Sequence, residues 1–494
     1  MCGTRRRLKV ADGKKLEENV HRPVVIFGAG TGGKIVRWML EDFGIPVEAF
    51  ADNNRGKWGT LQDGIPVISP ESLKDDERAI VIASTWETEI RKQLMEMGVG
   101  DRIVGKEEFM YQYLEQSAES YSDLSGYPID SGKKPTFLFG TDLGLYQGGV
   151  ESWTYTVADE LRRRGYGIKI LTNSSSQPAP ERFQKDTYYL NMRGQGYCGG
   201  LRDTVKVMME NAPCVVMDSW QSMTMLAAAI VKKQNKAAVR SLIEVVHNDL
   251  PRLFSIVKRF EDEIDVCMGV SRDINRVLVE EYRISPDKVH YKESPVKYEH
   301  SPEREYASDS RQPLRIGYAA RLSKSQKRAD LLPELMDRLV EHGVHFRMQI
   351  AGSGALRDMI QNHITQKEYG QFVSLTGYIP REEMNRFWRA QDIFINLSEY
   401  EGVGLSMLEA MGNGCVPIVT KVAGSEEFVT EQIGYVCGIG DLDAIAEKIA
   451  FLDRHREKLA QMGGKASESA REKCSVEAYA DDLLGLAGLS TADV

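Results

Sequence analysis

The stretch Ser398-Glu399-Tyr400-Glu401-Gly402-Val403-Gly404-Leu405-Ser406-Met407-Leu408-Glu409-Ala410-Met411-Gly412-Asn413-Gly414-Cys415-Val416-Pro417 decides how this 494-residue chain is read. It follows an apolar strand, Ile393 to Leu397, and turns through acidic residues and glycines into a helix predicted from about Gly404 to Gly412. A helix start exposes N–H groups that lack an intrahelical partner and carries a partial positive charge, and glycine lets an anion come close to the backbone. Gly402, Val403, Gly404 and Leu405 therefore read as a phosphate cradle. Glu401 lies in the turn and Glu409 in the helix, with seven residues between them. Two carboxylates beside such a cradle suit a ligand with hydroxyls on both sides of a pyrophosphate. The bland alternative is a solvated helix face that ends in a C-cap.

Working outward, three segments begin alike, with a short apolar strand that runs into glycines and then a helical pattern. They are Val24-Val25-Ile26-Phe27 before Gly28-Ala29-Gly30-Thr31-Gly32-Gly33, Thr136 to Gly140 with Gly148-Gly149 beyond it, and Leu314-Arg315-Ile316-Gly317-Tyr318. Each continues as strands alternating with helical stretches, the signature of α/β domains with a parallel sheet. We read three Rossmann-like units, at 22–109, 135–298 and 313–475. The segments 110–134 and 299–312 are polar, without apolar period, and read as connectors. Residues 476–494 close the chain as a helical stretch.

The segment Arg321-Leu322-Ser323-Lys324-Ser325-Gln326-Lys327-Arg328 follows the first strand of the third unit. As an isolated run it would be a solvated basic loop; its placement directly after that strand favours a functional reading. His247 ends the apolar strand Leu242 to Val246, and a histidine at the carboxyl end of such a strand points toward the ligand crevice. A buried structural histidine is the competing reading.

Taken together with Ala410-Met411 and Gly414-Cys415-Val416-Pro417, the Glu401–Glu409 pair resembles the E-x7-E signature of retaining glycosyltransferases of the GT-B fold, family 4. The resemblance covers about residues 135–494. It implies two Rossmann-like domains across a cleft, 135–298 for the acceptor and 313–475 for the nucleotide-sugar donor, with 476–494 packing back on the former. It also implies that Glu401 contacts the donor sugar, Glu409 the ribose, and Arg321 and Lys327 the pyrophosphate. Gly352 matches a Gly-x-Gly turn, Ile379 the segment whose backbone meets the base, and Gly424 the Gly-Gly-x-x-Glu loop, where Ala423 replaces a glycine. Gly148 and Gly149 match the Gly-Gly-x-Glu loop, and His247 a histidine near the anomeric carbon. Lys292-Glu293-Ser294-Pro295-Val296-Lys297 departs from the Asn-Gly-Val-Asp-like hinge of the family. Retention, a front-face mechanism and no bound metal are implied too, with cations and a helix dipole in the metal's place. The Asp-x-Asp at Asp441-Leu442-Asp443 opens a helix and reads as a cap.

In the first unit, Gly28, Gly30 and Gly33 fit G-x-G-x-x-G between a strand and a helix, and Asp52 ends the next apolar strand. This layout implies a nucleotide, nucleotide-sugar or NAD-type ligand. It is equally the layout of a Rossmann-like module kept for packing or oligomerisation, and the unit shows no catalytic dyad.

Composition narrows the partners. A net charge of -9, with 63 Lys+Arg against 72 Asp+Glu, argues against bulk nucleic acid. No apolar run reaches the ~20 residues of a membrane span, and Arg5-Arg6-Arg7 is not followed by the apolar stretch of a secretory signal. Seven cysteines without a C-x-x-C pair suit a reducing cytoplasm. Residues 135–298 are the most basic part, with 22 basic against 20 acidic residues. That leaves open peripheral contact with the inner membrane face, and a homo-oligomer is open as well. The expectation is a transferase that moves a sugar from a nucleoside diphosphate sugar, UDP favoured, to a glycan, lipid-linked or protein acceptor, with no cofactor required. A non-catalytic nucleotide-sugar sensor is the alternative, and an oxidoreductase led by the first unit lacks a substrate domain.

Overall fold

The computed structural model describes residues 21–84, 86–141, 148–172, 179–190, 192–219, 222–299 and 304–489. Arg5-Arg6-Arg7, part of the 299–312 connector and the last residues of 476–494 lie outside them.

Three sheets form, one per unit. The first runs, edge to edge, Leu61–Gln62, Ile65–Ile68, Val47–Ala51, Val24–Phe27 and Ala79–Ile82. It is parallel except where Leu61–Gln62 folds back on Ile65–Ile68. The second has seven parallel strands in the order Val289–Tyr291, Val266–Gly269, Val239–Val246, Cys214–Ser219, Thr136–Thr141, Gly167–Thr172 and Thr187–Tyr189. The third has six, in the order Val373–Gly377, Phe346–Ala351, Leu314–Ala319, Ile393–Asn396, Val416–Thr420 and Tyr435–Cys437. In each sheet the first strand of the unit lies inside and later strands add on both sides, so the connections reverse beside it. That reversal opens a crevice at the carboxyl ends of the strands. The strands are near-continuous apolar runs because helices cover both faces.

The segment 110–134, expected to be a polar connector, is in part a packed arm. The helix Lys106–Gln116 crosses its start, and 3-10 turns follow at Glu119–Gly126. Phe109, Met110 and Leu114 are buried together with Tyr121. The cause is an apolar helical spacing that the polar flanks disguise. Tyr111 packs edge-on to Phe260 at 5.6 Å and under the Arg259 guanidinium at 3.6 Å. The first unit is thereby joined to the second through one apolar core.

A second junction lies at the helix Met192–Glu210, which breaks at Gly196 with φ 72°. The chain restarts as helix there with free N–H groups, and Asp42 of the first unit supplies the missing acceptor. Its Oδ2 accepts from the Cys198 N–H at 2.7 Å, so one domain caps a helix of another. Phe43 stacks on Tyr113 at 4.3 Å and meets Tyr197 edge-on at 5.6 Å.

The helix Val476–Leu486 lies against the helix Gly149–Arg163 of the second unit, with Tyr479 edge-on to Trp153 at 6.1 Å. Arg164 pairs with Asp481 across the same contact. Asp441 caps the helix Leu442–Arg454 by accepting from the Ala444 N–H at 3.0 Å. Among the described residues no helix is long and apolar enough to cross a membrane.

Candidate active site

The glutamate turn sits at the strand reversal of the third sheet. Leu314–Ala319 and Ile393–Asn396 are neighbours there; Arg321 and Lys327 follow the first, and Glu401 follows the second. The two loops close on each other. Lys327 Nζ is ion-paired with and donates to Glu401 Oε1. The same oxygen accepts from Ser398 Oγ at 2.7 Å. Gln326 Nε2 lies 3.4 Å from both Glu401 Oε2 and Asn248 Oδ1, and its own Oε1 accepts from Arg321 Nη2 at 2.9 Å. Glu401 is 4% exposed. Several donors thus hold one carboxylate in one orientation, and Asn248 links it to the facing domain.

The cation loop is bent into place. Gln326 and Arg328 flank Lys327 with φ 65° and 47°, in the left-handed region that side chains rarely adopt. The Glu399 N–H donates to Gln326 O at 2.8 Å and Tyr318 OH to Lys327 O at 3.2 Å. These bonds hold the bent loop and aim the ammonium.

Gly404, φ 70°, precedes the helix Leu405–Gly412, whose first N–H groups receive no side-chain cap. Opposite it, Gly148 precedes the helix Gly149–Arg163. A Cβ on Gly149 would stand 3.5 Å from Leu405 Cβ, so two helix starts face each other across the cleft. Gly402 packs on the other domain, where a Cβ would fall 2.1 Å from His247 O; one on Gly424 would fall 2.8 Å from Gly402 O. Val403 is buried and offers only its backbone. Gly352 is needed for its own turn, with φ +130° and a Cβ position 1.9 Å from Ala320 O. Ile379 is half-buried against the main core.

His247 has its Nε2 3.3 Å from Ser219 Oγ and its ring edge-on to Trp153 at 4.8 Å. Burial lowers its pKa to about 3, so the ring is neutral. Burial likewise raises the Glu409 carboxyl to about 7, against the opposing pull of Arg381 and the Trp388 indole. Glu151 also rises to about 7 by burial, offset by the Gly148 N–H at 2.7 Å from its Oε2 and by Arg321.

Arg381, Gln326 and Ser398 were not singled out from sequence, and Glu151 entered only as the last residue of the Gly-Gly-x-Glu loop. Arg381 opens the helix Arg381–Arg389, lies by Glu409 and donates to Thr156 Oγ1 on the facing helix. Its signal was available: it stands two residues after Ile379, behind a proline that starts a helix.

In the first unit the glycines divide. A Cβ on Gly33 would stand 2.0 Å from Gly28 O, and one on Gly28, φ +121°, 2.7 Å from Ala83 O, whereas Gly30 faces open space. Asp52 is engaged. Its Oδ2 accepts from the Ala29 N–H at 2.9 Å and from Lys57 Nζ at 2.8 Å, and its Oδ1 from the Asn54 N–H at 2.8 Å. Three of the roughly four lone-pair sites of this carboxylate are thus taken by the protein.

Residues 147–296 match Glycosyltransferase Family 4, residues 304–469 match Glycosyl transferases group 1, and residues 20–104 match the family described as C2185-like, N-terminal. A poly(ribitol-phosphate) alpha-N-acetylglucosaminyltransferase of Staphylococcus aureus is 30% identical over 175 residues, which is 35% of this chain and 34% of that protein. An amylovoran biosynthesis glycosyltransferase of Erwinia amylovora is 26% identical over 220 residues, 42% of this chain and 50% of that protein. The alignments thus span half or less of these relatives. HepE of Anabaena, solved with UDP and glucose, superposes with a TM-score of 0.59 at 16% identity, covering 71% of this chain and 98% of that one. TarM of S. aureus superposes with a TM-score of 0.51 at 14% identity, covering 94% and 99%. The fold of the last two units is GT-B.

Proposed function

We propose, for a chain whose residues 147–296 belong to glycosyltransferase family 4 and whose residues 304–469 belong to the group 1 glycosyl transferases, that it transfers a sugar from a nucleoside diphosphate sugar with retention of anomeric configuration. The donor is a UDP-sugar and the acceptor a glycan, lipid-linked or protein hydroxyl. The observation that carries this reading is the Lys327–Glu401 pair at the strand reversal, beside the uncapped helix start at Gly404.

The chemistry follows from where charge develops. The bond from the anomeric carbon to the β-phosphate oxygen breaks, and negative charge builds on the departing diphosphate. Lys327, Arg321 and the N–H groups at Leu405 meet that charge, which grows toward the transition state, so they lower the barrier and do more than tighten binding. Glu401, held by Lys327, Ser398 and Gln326, orients the donor sugar. Glu409, one turn into the helix, accepts the ribose hydroxyls. The acceptor hydroxyl attacks from the face the diphosphate leaves, and its proton passes to the departing phosphate oxygen. Neutral His247 accepts or donates one hydrogen bond near the anomeric carbon and carries no charge. These cations and helix N–H groups fill the place that a divalent ion takes in other transferases.

The poly(ribitol-phosphate) and amylovoran activities of the relatives support a polysaccharide or phosphate-linked glycan acceptor, and HepE with UDP supports the uridine donor. Titration of the full chain with a panel of nucleotide sugars, followed by assay of nucleoside diphosphate release, tests the reading; no binding and no release with any donor would overturn it.

A further inference from the structure

The third sheet gives its carboxyl strand ends to the Glu401 site. Its amino ends open on the opposite side, onto two adjoining cavities of about 420 and 500 Å³ that share Arg315 and Ala390. From Arg315 to Ala319 the strand runs about 13 Å, so the thickness of the sheet separates these cavities from the donor loops. Arg304, Arg315, Arg386 and Arg389 wall the larger one, with Glu299 and Glu305, and Arg347 lines the smaller.

Arginines of this chain are commonly paired with carboxylates, as Arg315 is with Asp392 and Arg456 with Asp453. Among the described residues, Arg347, Arg386 and Arg389 have no carboxylate partner, although this is the most acidic third of the chain, with 22 basic against 30 acidic residues over 299–494. Arg304 is fixed by the carbonyls of Trp388 and Asn413 and lies over the Tyr306 ring at 4.6 Å. Its Nε and Nη2 are out of water and have no hydrogen-bond partner. Leaving guanidinium donors bare is costly, and an ion or water is one of the partners that would satisfy them.

We propose that the larger cavity is a second anion site, separate from the donor site, which takes the phosphate of a small phosphorylated sugar. Planar guanidinium forks match phosphate oxygens in pairs. The volume is that of a small-molecule pocket, within the roughly 300–1,000 Å³ such sites span. Glu299 and Glu305 limit the positive charge and stand ready to accept hydroxyls, which favours a sugar phosphate over a bare polyanion. The inference rests on the cavity and its cations and is independent of the reaction proposed above.

Calorimetric titration of the full chain with inorganic pyrophosphate tests it. Two sites are expected in the parent chain. The double variant Arg386→Ala/Arg389→Ala changes one exposed and one half-buried side chain, neither with a carboxylate partner among the described residues. It should keep the parent melting temperature and lose one site, with affinity there at least about tenfold weaker. Lys327→Ala should lose the other site and keep this one. A single site in the parent chain that Lys327→Ala abolishes would overturn the proposal, as would an unchanged two-site isotherm in the double variant. Flotation with phosphatidylglycerol vesicles is the second arm. Vesicle binding that the double variant abolishes, with no pyrophosphate binding at this site, would assign the cations to a lipid headgroup and overturn the free-metabolite reading.

Discussion

Lys327 and Glu401 stand 74 residues apart in the chain and meet as one ion pair, each delivered by a loop after a different strand of the same sheet. The pair forms because the strand order reverses between those two strands. Ser398 and Gln326 complete the carboxylate's set of donors, so neither side chain is free to reorient without the other.

Removing the ammonium should therefore do more than weaken binding. Lys327→Ala is expected to lower kcat by about 10²–10³-fold, the usual effect of losing one preplaced group that stabilises a transition-state anion. It also leaves the Glu401 carboxylate buried without its cation, which lowers stability. Glu401→Gln in the same background should restore the melting temperature and leave kcat low. Steady-state kinetics with thermal unfolding separate the two effects; recovery of kcat in the double variant would contradict the assignment.

Donor affinity should depend on pH through Glu409. Burial raises this carboxyl to about 7, and a carboxylate accepts two ribose hydroxyls where the acid accepts fewer. The donor KM is then flat above about pH 7 and rises as pH falls, by up to about tenfold per unit. The stability effect has the opposite sense. The folded state holds this proton more tightly than the unfolded chain, so the contribution is full below the ordinary carboxylate range and is lost as pH rises through about 7. Glu409→Gln should remove both trends. KM measured from pH 5.5 to 8.5 checks this.

Two glycines of similar sequence context should behave differently. Gly352 combines φ +130° with a Cβ position 1.9 Å from Ala320 O, so Gly352→Ala must move backbone and is expected to destabilise by several kcal/mol, about 3 or more. Gly30 has open space around it and an extended backbone, so Gly30→Ala should cost no more than about 1 kcal/mol, the preference for glycine over alanine at an N-cap. Chemical denaturation of both variants decides.

The bond from Asp42 to the Cys198 N–H makes the first unit part of the second unit's stability. Asp42→Ala should lower the unfolding free energy by about 1 kcal/mol, the usual loss on removing a helix cap, and Asp42→Asn by less. Equal effects of the two substitutions, read from urea midpoints, would show that the cap contributes nothing.

Much of this arrangement was legible in the chain. The glycine-rich turns mark strand-to-helix corners, and a corner at a strand reversal is where a ligand sits, so Glu401, Gly404 and Lys327 could be brought together before any coordinates. Spacing also placed Asp441 as a cap. What was not legible depends on long-range geometry. Gln326 and Arg328 adopt left-handed backbone that no local pattern demands. Arg381 gains its role from Thr156 and Glu409, which come from other elements. Asp42 caps a helix that starts only because Gly196 breaks it. Asp52, read from its position after a strand as part of a dinucleotide-binding layout, is bonded to Lys57, five residues on, a partner that the layout does not announce. The boundary drawn at residue 110 cut through a helix whose buried residues, Phe109, Met110 and Leu114, repeat at helical spacing on both sides of it.

The most direct measurement is release of nucleoside diphosphate from UDP-sugars, with water or added glycan as acceptor, in the presence of EDTA. The parent chain should release it with at least one donor, and Lys327→Ala should release about 10²–10³-fold less. No release by the parent chain with any donor, or equal release by Lys327→Ala, would contradict a transferase built on the Lys327–Glu401 pair.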